Sequence, residues 1–308
     1  MTTILKASPV FQRRGVHKAI TGMLVCAAAA LWVPAMAQPV SEANAPKQNT
    51  VNSSGALGAK TKVTPPDPAT VMYFTYDIDG KGATTYEVTN GSVATYWYGH
   101  AFEHGGKQYY TGFSWDTADR YGKPGEDNVG PDTQANIAEV TFILANESAE
   151  KPWKFRGMEH TIGMFGAYEK GPEVDTNRKA IEYRAPSGKL VLAVPTITFA
   201  TGSSIEGYEL LMFNPTRLEV ESNDNVWNYV GNIITGEDNA AACDNGAVMP
   251  CIGNSGELTF TQGKDDMPQA TVKMSGTTSA GPDKTRKFGP ADTQTYVYDS
   301  KSKAYVSR

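Results

Sequence analysis

From Val71 to the C-terminus, apolar and polar positions alternate in short runs rich in Val, Ile, Thr and Tyr, punctuated by Gly, Asn, Asp and Pro. A period of two sends successive side chains to opposite faces of a strand, and no window carries the sustained apolar stripe of an amphipathic helix. The pattern predicts strands at Val71–Tyr76, Ala83–Val88, Val93–His104, Lys107–Trp115, Ile137–Leu144, Ala180–Tyr183, Lys189–Val194 and Thr196–Ala200. It continues with Tyr208–Phe213, Leu218–Glu221, Val226–Ile234, Glu257–Thr261, Ala270–Met274, Thr295–Tyr298 and Ala304–Val306. Asp79-Gly80 and Gly105-Gly106 read as hairpin turns, since the favoured two-residue turn needs φ > 0 at its centre. The expected fold class is all-β, with antiparallel sandwich- or barrel-like units.

The pattern also repeats in order. Tyr110-Thr111-Gly112, Gly125-Glu126-Asp127-Asn128 and Ala138-Glu139-Val140-Thr141-Phe142 are echoed by Tyr229-Val230-Gly231, Gly236-Glu237-Asp238-Asn239 and Gly256-Glu257-Leu258-Thr259-Phe260. The shared order predicts an internal duplication with two tandem β units, 70–195 and 196–308, meeting near Pro195.

The first 37 residues follow a different rule. Arg13, Arg14 and Lys18 precede an apolar run from Ala19 to Val33, and Pro34 leads to Ala35-Met36-Ala37. This is the order of a bacterial export signal, cleaved near Ala37/Gln38. The run is too short to span a bilayer, and no later stretch approaches that length. Arg13-Arg14 loosely fits a twin-arginine signal, though Val16 and His17 suit that route poorly. Residues 38–69, ending in Pro65-Pro66-Asp67-Pro68, have almost no apolar periodicity and read as a disordered leader. The expected product is exported, to the periplasm or beyond.

Cleavage alters the charge. The whole chain carries 28 Lys and Arg against 33 Asp and Glu, and removing the four basic residues of the signal leaves 24 against 33, a net of −9. An acidic chain repels phosphate backbones and anionic lipid, so nucleic acid and membrane are not expected partners. Two of the three cysteines survive, Cys243 and Cys251. In an oxidising compartment they predict a disulfide closing a small loop.

Candidate chemistry concentrates in the hairpin around Gly105-Gly106. Strict alternation places Tyr96, Tyr98, His100, Phe102 and His104 on one face and Trp97, Gly99, Ala101 and Glu103 on the other. Phe102 then faces Tyr109, Tyr98 faces Phe113, and Tyr96 faces Trp115. The band reads as core. As a surface it would be an aromatic platform for a sugar or peptide, with Tyr96, Trp97, Tyr98, His100, Tyr109 and Trp115 as contacts. His100 and His104, with Glu159-His160, invite a metal reading. Histidines four apart on a strand stand ~13 Å apart, too far to share one ion. No metal site is expected. The two Gly-Glu-Asp-Asn tetrads and Asp77-Ile78-Asp79-Gly80-Lys81-Gly82 read as turns rather than calcium loops, since Lys81 and Val88 occupy ligand positions of the latter. Ser148-Ala149-Glu150-Lys151 matches S-x-x-K without companion motifs. No phosphate loop or dinucleotide fingerprint occurs, and no cofactor is expected.

These readings predict an exported, non-catalytic binding or structural protein of the envelope or extracellular space, with a glycan or protein ligand. Two alternatives stay open: a secreted hydrolase of glycan or peptide using dispersed carboxylates, and an inhibitor of an extracellular enzyme acting through loop 243–251.

Overall fold

The computed structural model describes residues 63–120, 129–218, 225–264 and 266–308. The export signal, the leader up to residue 62, the first tetrad and residues 219–221 of one expected strand lie outside the described residues.

The first element among the described residues is a helix where the alternation predicts a strand. Helix α1 spans Pro68–Tyr76. The Asp67 carboxylate accepts from Thr70 N–H at 2.7 Å, Pro68 supplies a preset φ at the first helical position, and Asp77 closes the helix in the left-handed region at φ 54°. Val71, Met72 and Thr75 form its buried side. The β-prone composition of Val71–Tyr76 is thus overridden by a cap just upstream and by a surface to dock on. The hairpin expected across Asp79-Gly80 does not form. Lys81 N–H bonds the Asp79 carboxylate in a turn, and the next strand is β1, Thr85–Glu87.

The remainder is mostly β, in two antiparallel sheets. The first contains β1, β2 (Val93–His104), β3 (Lys107–Asp116), β4 (Ala135–Leu144) and β5 (Trp153–Phe165), ordered β1-β2-β3-β4-β5. The second has ten strands: β6 (Glu173–Val174), β7 (Ile181–Arg184), β8 (Leu190–Ala200), β9 (Ser203–Phe213), β10 (Trp227–Asp238), β11 (Gly253–Thr261), β12 (Gln269–Gly281), β13 (Lys284–Lys287), β14 (Gln294–Asp299) and β15 (Ala304–Ser307). Its order is β15-β14-β12-β11-β10-β9-β8-β6, with β7 on β8 and β13 on β12. Neither sheet closes into a barrel.

β5 has no counterpart in the apolar pattern, because Lys154, Arg156, Glu159 and His160 interrupt it. β8 merges two expected strands and runs through Pro195. The division between sheets falls between Phe165 and Glu173. Sheets of five and ten strands do not reproduce a tandem repeat. The matched glycines also differ: Gly112 sits in regular pairing, while Gly231, at φ 105°, lies in a break of register between Tyr229 and Asn232.

Three packed layers result. Phe102, Phe113, Ile137 and Phe165 of the first sheet meet Leu190, Leu192, Leu211, Phe213 and Trp227 of the second in one core. Rings interlock across it, with Phe102 4.9 Å from Phe213 and Phe113 5.2 Å from Trp227. The outer face of the first sheet, with Ala101, Tyr110, Val140 and Phe142, is covered by Val71 of α1. The opposite face of the second sheet builds its own cluster around Leu210, Ile233, Leu258 and Val272.

Candidate functional site

The aromatic hairpin is built much as its alternation predicts, with one change. Phe102 pairs with Tyr109 and Tyr98 with Phe113, but Tyr96 lies opposite Ser114 and Thr95 opposite Trp115. The register shifts between Tyr96 and Tyr98, so Trp97 is an extra residue in β2 and joins Tyr98 on the inner face. Tyr96 turns outward to the α1 side, where its hydroxyl lies 3.3 Å from that of Tyr110. Trp97, at 8% exposure, donates from Nε1 to Pro172 O at 2.8 Å and meets Phe165 edge-on at 5.0 Å.

These placements make the band part of the core, the first of its two readings, and leave the platform reading little exposed surface. Trp97, His100 and Tyr109 are at most 8% exposed, and Tyr98 and Trp115 are partly buried against the same core. They are spent on holding sheet to sheet, so they offer a ligand little surface. Burial pushes the Tyr98 hydroxyl up to about 12.

Polar groups thread this seam. His100 Nε2 lies 2.7 Å from Glu182 Oε1 on β7. Burial raises the Glu182 carboxyl, but the close His100 imidazole and the charge of Arg184 outweigh it and hold the group below its usual range. Glu209 of β9 accepts from the Tyr229 hydroxyl at 2.6 Å, and burial pushes its carboxyl up to about 7. Glu139 of β4 stands directly across from Glu159 of β5, so their side chains share one face of the sheet, and burial, then the Glu159 charge, drives the Glu139 carboxyl well above its ordinary range. Glu159 also accepts from the backbone N–H of Val226 at 2.5 Å and of Trp227 at 3.2 Å. Glu159 and His160, neighbours in the metal reading that the sequence disfavours, point to opposite faces of β5, with His160 exposed.

The other singled-out residues sit apart. Among the described residues, no three His, Cys, Asp or Glu gather in a metal-holding arrangement. Cys243 and Cys251 form a disulfide with Cα atoms 5.2 Å apart. The second tetrad ends β10 and braces that loop: Asn239 donates from Nδ2 to Pro250 O and accepts from Ile252 N–H at Oδ1. Val248 and Met249 stand exposed at the loop's apex. Ser148 lies in the turn between β4 and β5, its N–H bonded to Asn146.

An exposed aromatic surface does exist, on the other side of the first sheet. Phe74 of α1 stacks on Phe155 of β5 at 5.3 Å and 15° between planes. Both rest on buried Phe142, and Tyr73 meets Phe74 edge-on at 5.8 Å. Tyr73, Phe74 and Phe155 are 47%, 39% and 49% exposed. Beside them Trp153 packs on Tyr110 and donates from Nε1 to Thr64 O.

No protein-family model, curated protein or solved structure matches this chain. Its chemistry therefore rests on the geometry alone.

Half-exposed, mutually stacked rings on a braced helix and strand suit apolar recognition, because they are ordered before a partner arrives. Sequence reading missed them for a specific reason. Tyr73 and Phe74 are adjacent, which on a strand sends them to opposite faces, and only a helix leaves both outside. Phe155 lies in a strand whose charges hid it. The Asp67-Pro68 cap was the available signal.

Proposed function

We propose that this is an exported, non-catalytic binding protein of the bacterial envelope or extracellular space, which holds a protein partner on the Tyr73–Phe74–Phe155 surface. The stacked, half-exposed Phe74–Phe155 pair carries the reading. In that ring cluster, among Tyr73, Phe74, Phe142 and Phe155, only Tyr73 bears a hydrogen-bonding atom. Sugar sites set polar groups around a stacking ring to bond hydroxyls, whereas apolar side chains of a polypeptide need only the rings. The Cys243–Cys251 disulfide is compatible with export. Among the described residues no helix is long and apolar enough to cross a membrane.

A glycan hydrolase of the dispersed-carboxylate kind needs paired carboxyls facing a cleft. Of the neighbouring Glu139 and Glu159, Glu139 is buried in the seam at 1% exposure and both oxygens of Glu159 are taken by backbone N–H groups. A surface recess of about 270 Å³ lined by Tyr183, Pro186, Gln262, Gly263, Asp266 and Met267 brings a single carboxylate.

Photo-cross-linking tests the reading. A photoreactive phenylalanine at position 73, in protein expressed in its own cells, is expected to give one discrete protein adduct that vanishes in Phe74→Ser/Phe155→Ser. The same probe at Gly105, on the far hairpin turn, is expected to give none. Equal labelling at both positions, or turnover of peptidoglycan or casein by the purified protein, overturns it.

A further inference from the structure

We propose that Glu139 carries a single proton shared with Glu159, that Glu159 stays anionic, and that this proton locks the first sheet to β10 of the second. Two cross-strand carboxyls with Glu139 fully buried favour a proton there, and the surrounding hydrogen bonds decide which group holds it. The Trp227 indole N–H donates to Thr111 Oγ1 at 3.1 Å. The Thr111 and Thr141 hydroxyls lie 2.7 Å apart, and Thr141 donates to Glu139 Oε2 at 2.6 Å. Thr141 has one hydrogen, spent on Glu139, so Thr111 must donate to Thr141. At the other end, Glu159 accepts two backbone N–H groups, one on each oxygen. Register then sets the two carboxyl groups side by side on one face, where two adjacent carboxylates repel unless one holds a proton.

The acid is Glu139. Its carboxyl is buried and receives one neutral hydroxyl, whereas both oxygens of Glu159 face backbone donors that favour the anion. The resulting chain of hydrogen bonds runs from the Trp227 indole through Thr111, Thr141 and Glu139 to Glu159, which accepts from the Trp227 backbone N–H. It stitches β3, β4 and β5 to β10 in a closed ring. The electrostatics agree: burial, then the Glu159 charge, drives Glu139 well above its ordinary range.

The other titratable groups along this seam are few. Tyr229 on β10 is bonded to Glu209 on β9, and His100 on β2, in register with Thr111, is paired with Glu182 on β7. Arg156, on β5 itself, is turned to Leu218 O. The Coulombic influence on Glu139 comes from Glu159. Losing the shared proton sets two anions face to face in a dry interface, a cost met by parting β5 from β10.

The test uses the asymmetry of the pair. Glutamine at 139 can accept from Thr141 and donate to Glu159, so Glu139→Gln reproduces the protonated state at every pH. Glutamine at 159 sets an NH2 against a backbone N–H, so Glu159→Gln breaks the ring at every pH. Amide exchange at Val226 and Trp227 is measured across a pH series in full-length protein, each rate corrected for intrinsic exchange. In wild type, protection is expected to fall more than tenfold as the pH becomes alkaline, while Glu139→Gln keeps it. Parallel profiles for wild type and Glu139→Gln overturn the proposal. So does full protection in Glu159→Gln with loss in Glu139→Gln. The Glu139→Gln comparison decides the matter even if Glu159→Gln does not fold.

Discussion

Glu209 shows how one buried carboxyl sets a pH window. Its folded value is pushed up to about 7 by burial, against an ordinary 4.5, despite the bond from Tyr229. Below the unfolded value both states hold the proton and the group contributes nothing to pH dependence. Between that value and about 7 the unfolded chain releases its proton while the native state keeps it, so stability falls as pH rises. The shift corresponds to roughly 3 kcal/mol, lost by neutral pH. Glu209→Gln is expected to flatten the decline in urea-unfolding free energy between pH 5 and about 7. An unchanged slope would remove Glu209 as its source. Residue identity in the sequence did not disclose this. Glu209 is one of 33 acidic residues, and its inward direction depends on the second sheet lying against the first.

At the scale of elements, helix α1 depends on a close approach. A Cβ on Gly112 of β3 would stand 2.4 Å from the Val71 side chain, so only glycine lets the helix settle on the sheet. Gly112→Ala is expected to cost about 1–3 kcal/mol in chemical denaturation through overpacking. Adding Val71→Ala makes room and should recover part of that loss. A double mutant that merely sums two losses would show that the contact is not the cause. Asp67→Ala should cost about 1 kcal/mol by removing the cap. Alternation revealed β2, β3 and β4 nearly to the residue, because hairpin partners are near neighbours in sequence. It failed at Trp97, where one extra residue reverses the facing of everything before it. It failed again at α1, where capping and docking prevail over composition.

For the whole molecule, two sheets share one core, and the stapled loop lies at its periphery. Cys243 and Cys251 close a loop with a separation of 8 residues, worth about 2–3 kcal/mol of unfolded-state entropy. Replacing both by serine is expected to lower the thermal midpoint by roughly 4–12 °C. Exchange protection in β2–β5 should stay intact, since the loop touches none of those strands' core. Protection lost evenly across both sheets would mean that the staple supports the global fold. Asn239, with side-chain bonds to Pro250 and Ile252, should keep part of the loop's shape without the disulfide.

The sequence by itself determined what is settled between neighbours: the strand-rich character, the Phe102–Tyr109 and Tyr98–Phe113 pairing, and the Cys243–Cys251 partnership. Only the tertiary structure decided which faces are buried. It sent Trp97, His100 and Tyr109 into the seam, set Tyr73, Phe74 and Phe155 outside, and brought Glu139 against Glu159. The physical reason is that alternation records two faces without saying what will cover each. Covering comes from segments far apart in the chain, Trp227 over Phe113 and Val71 over Gly112, and no local pattern encodes it.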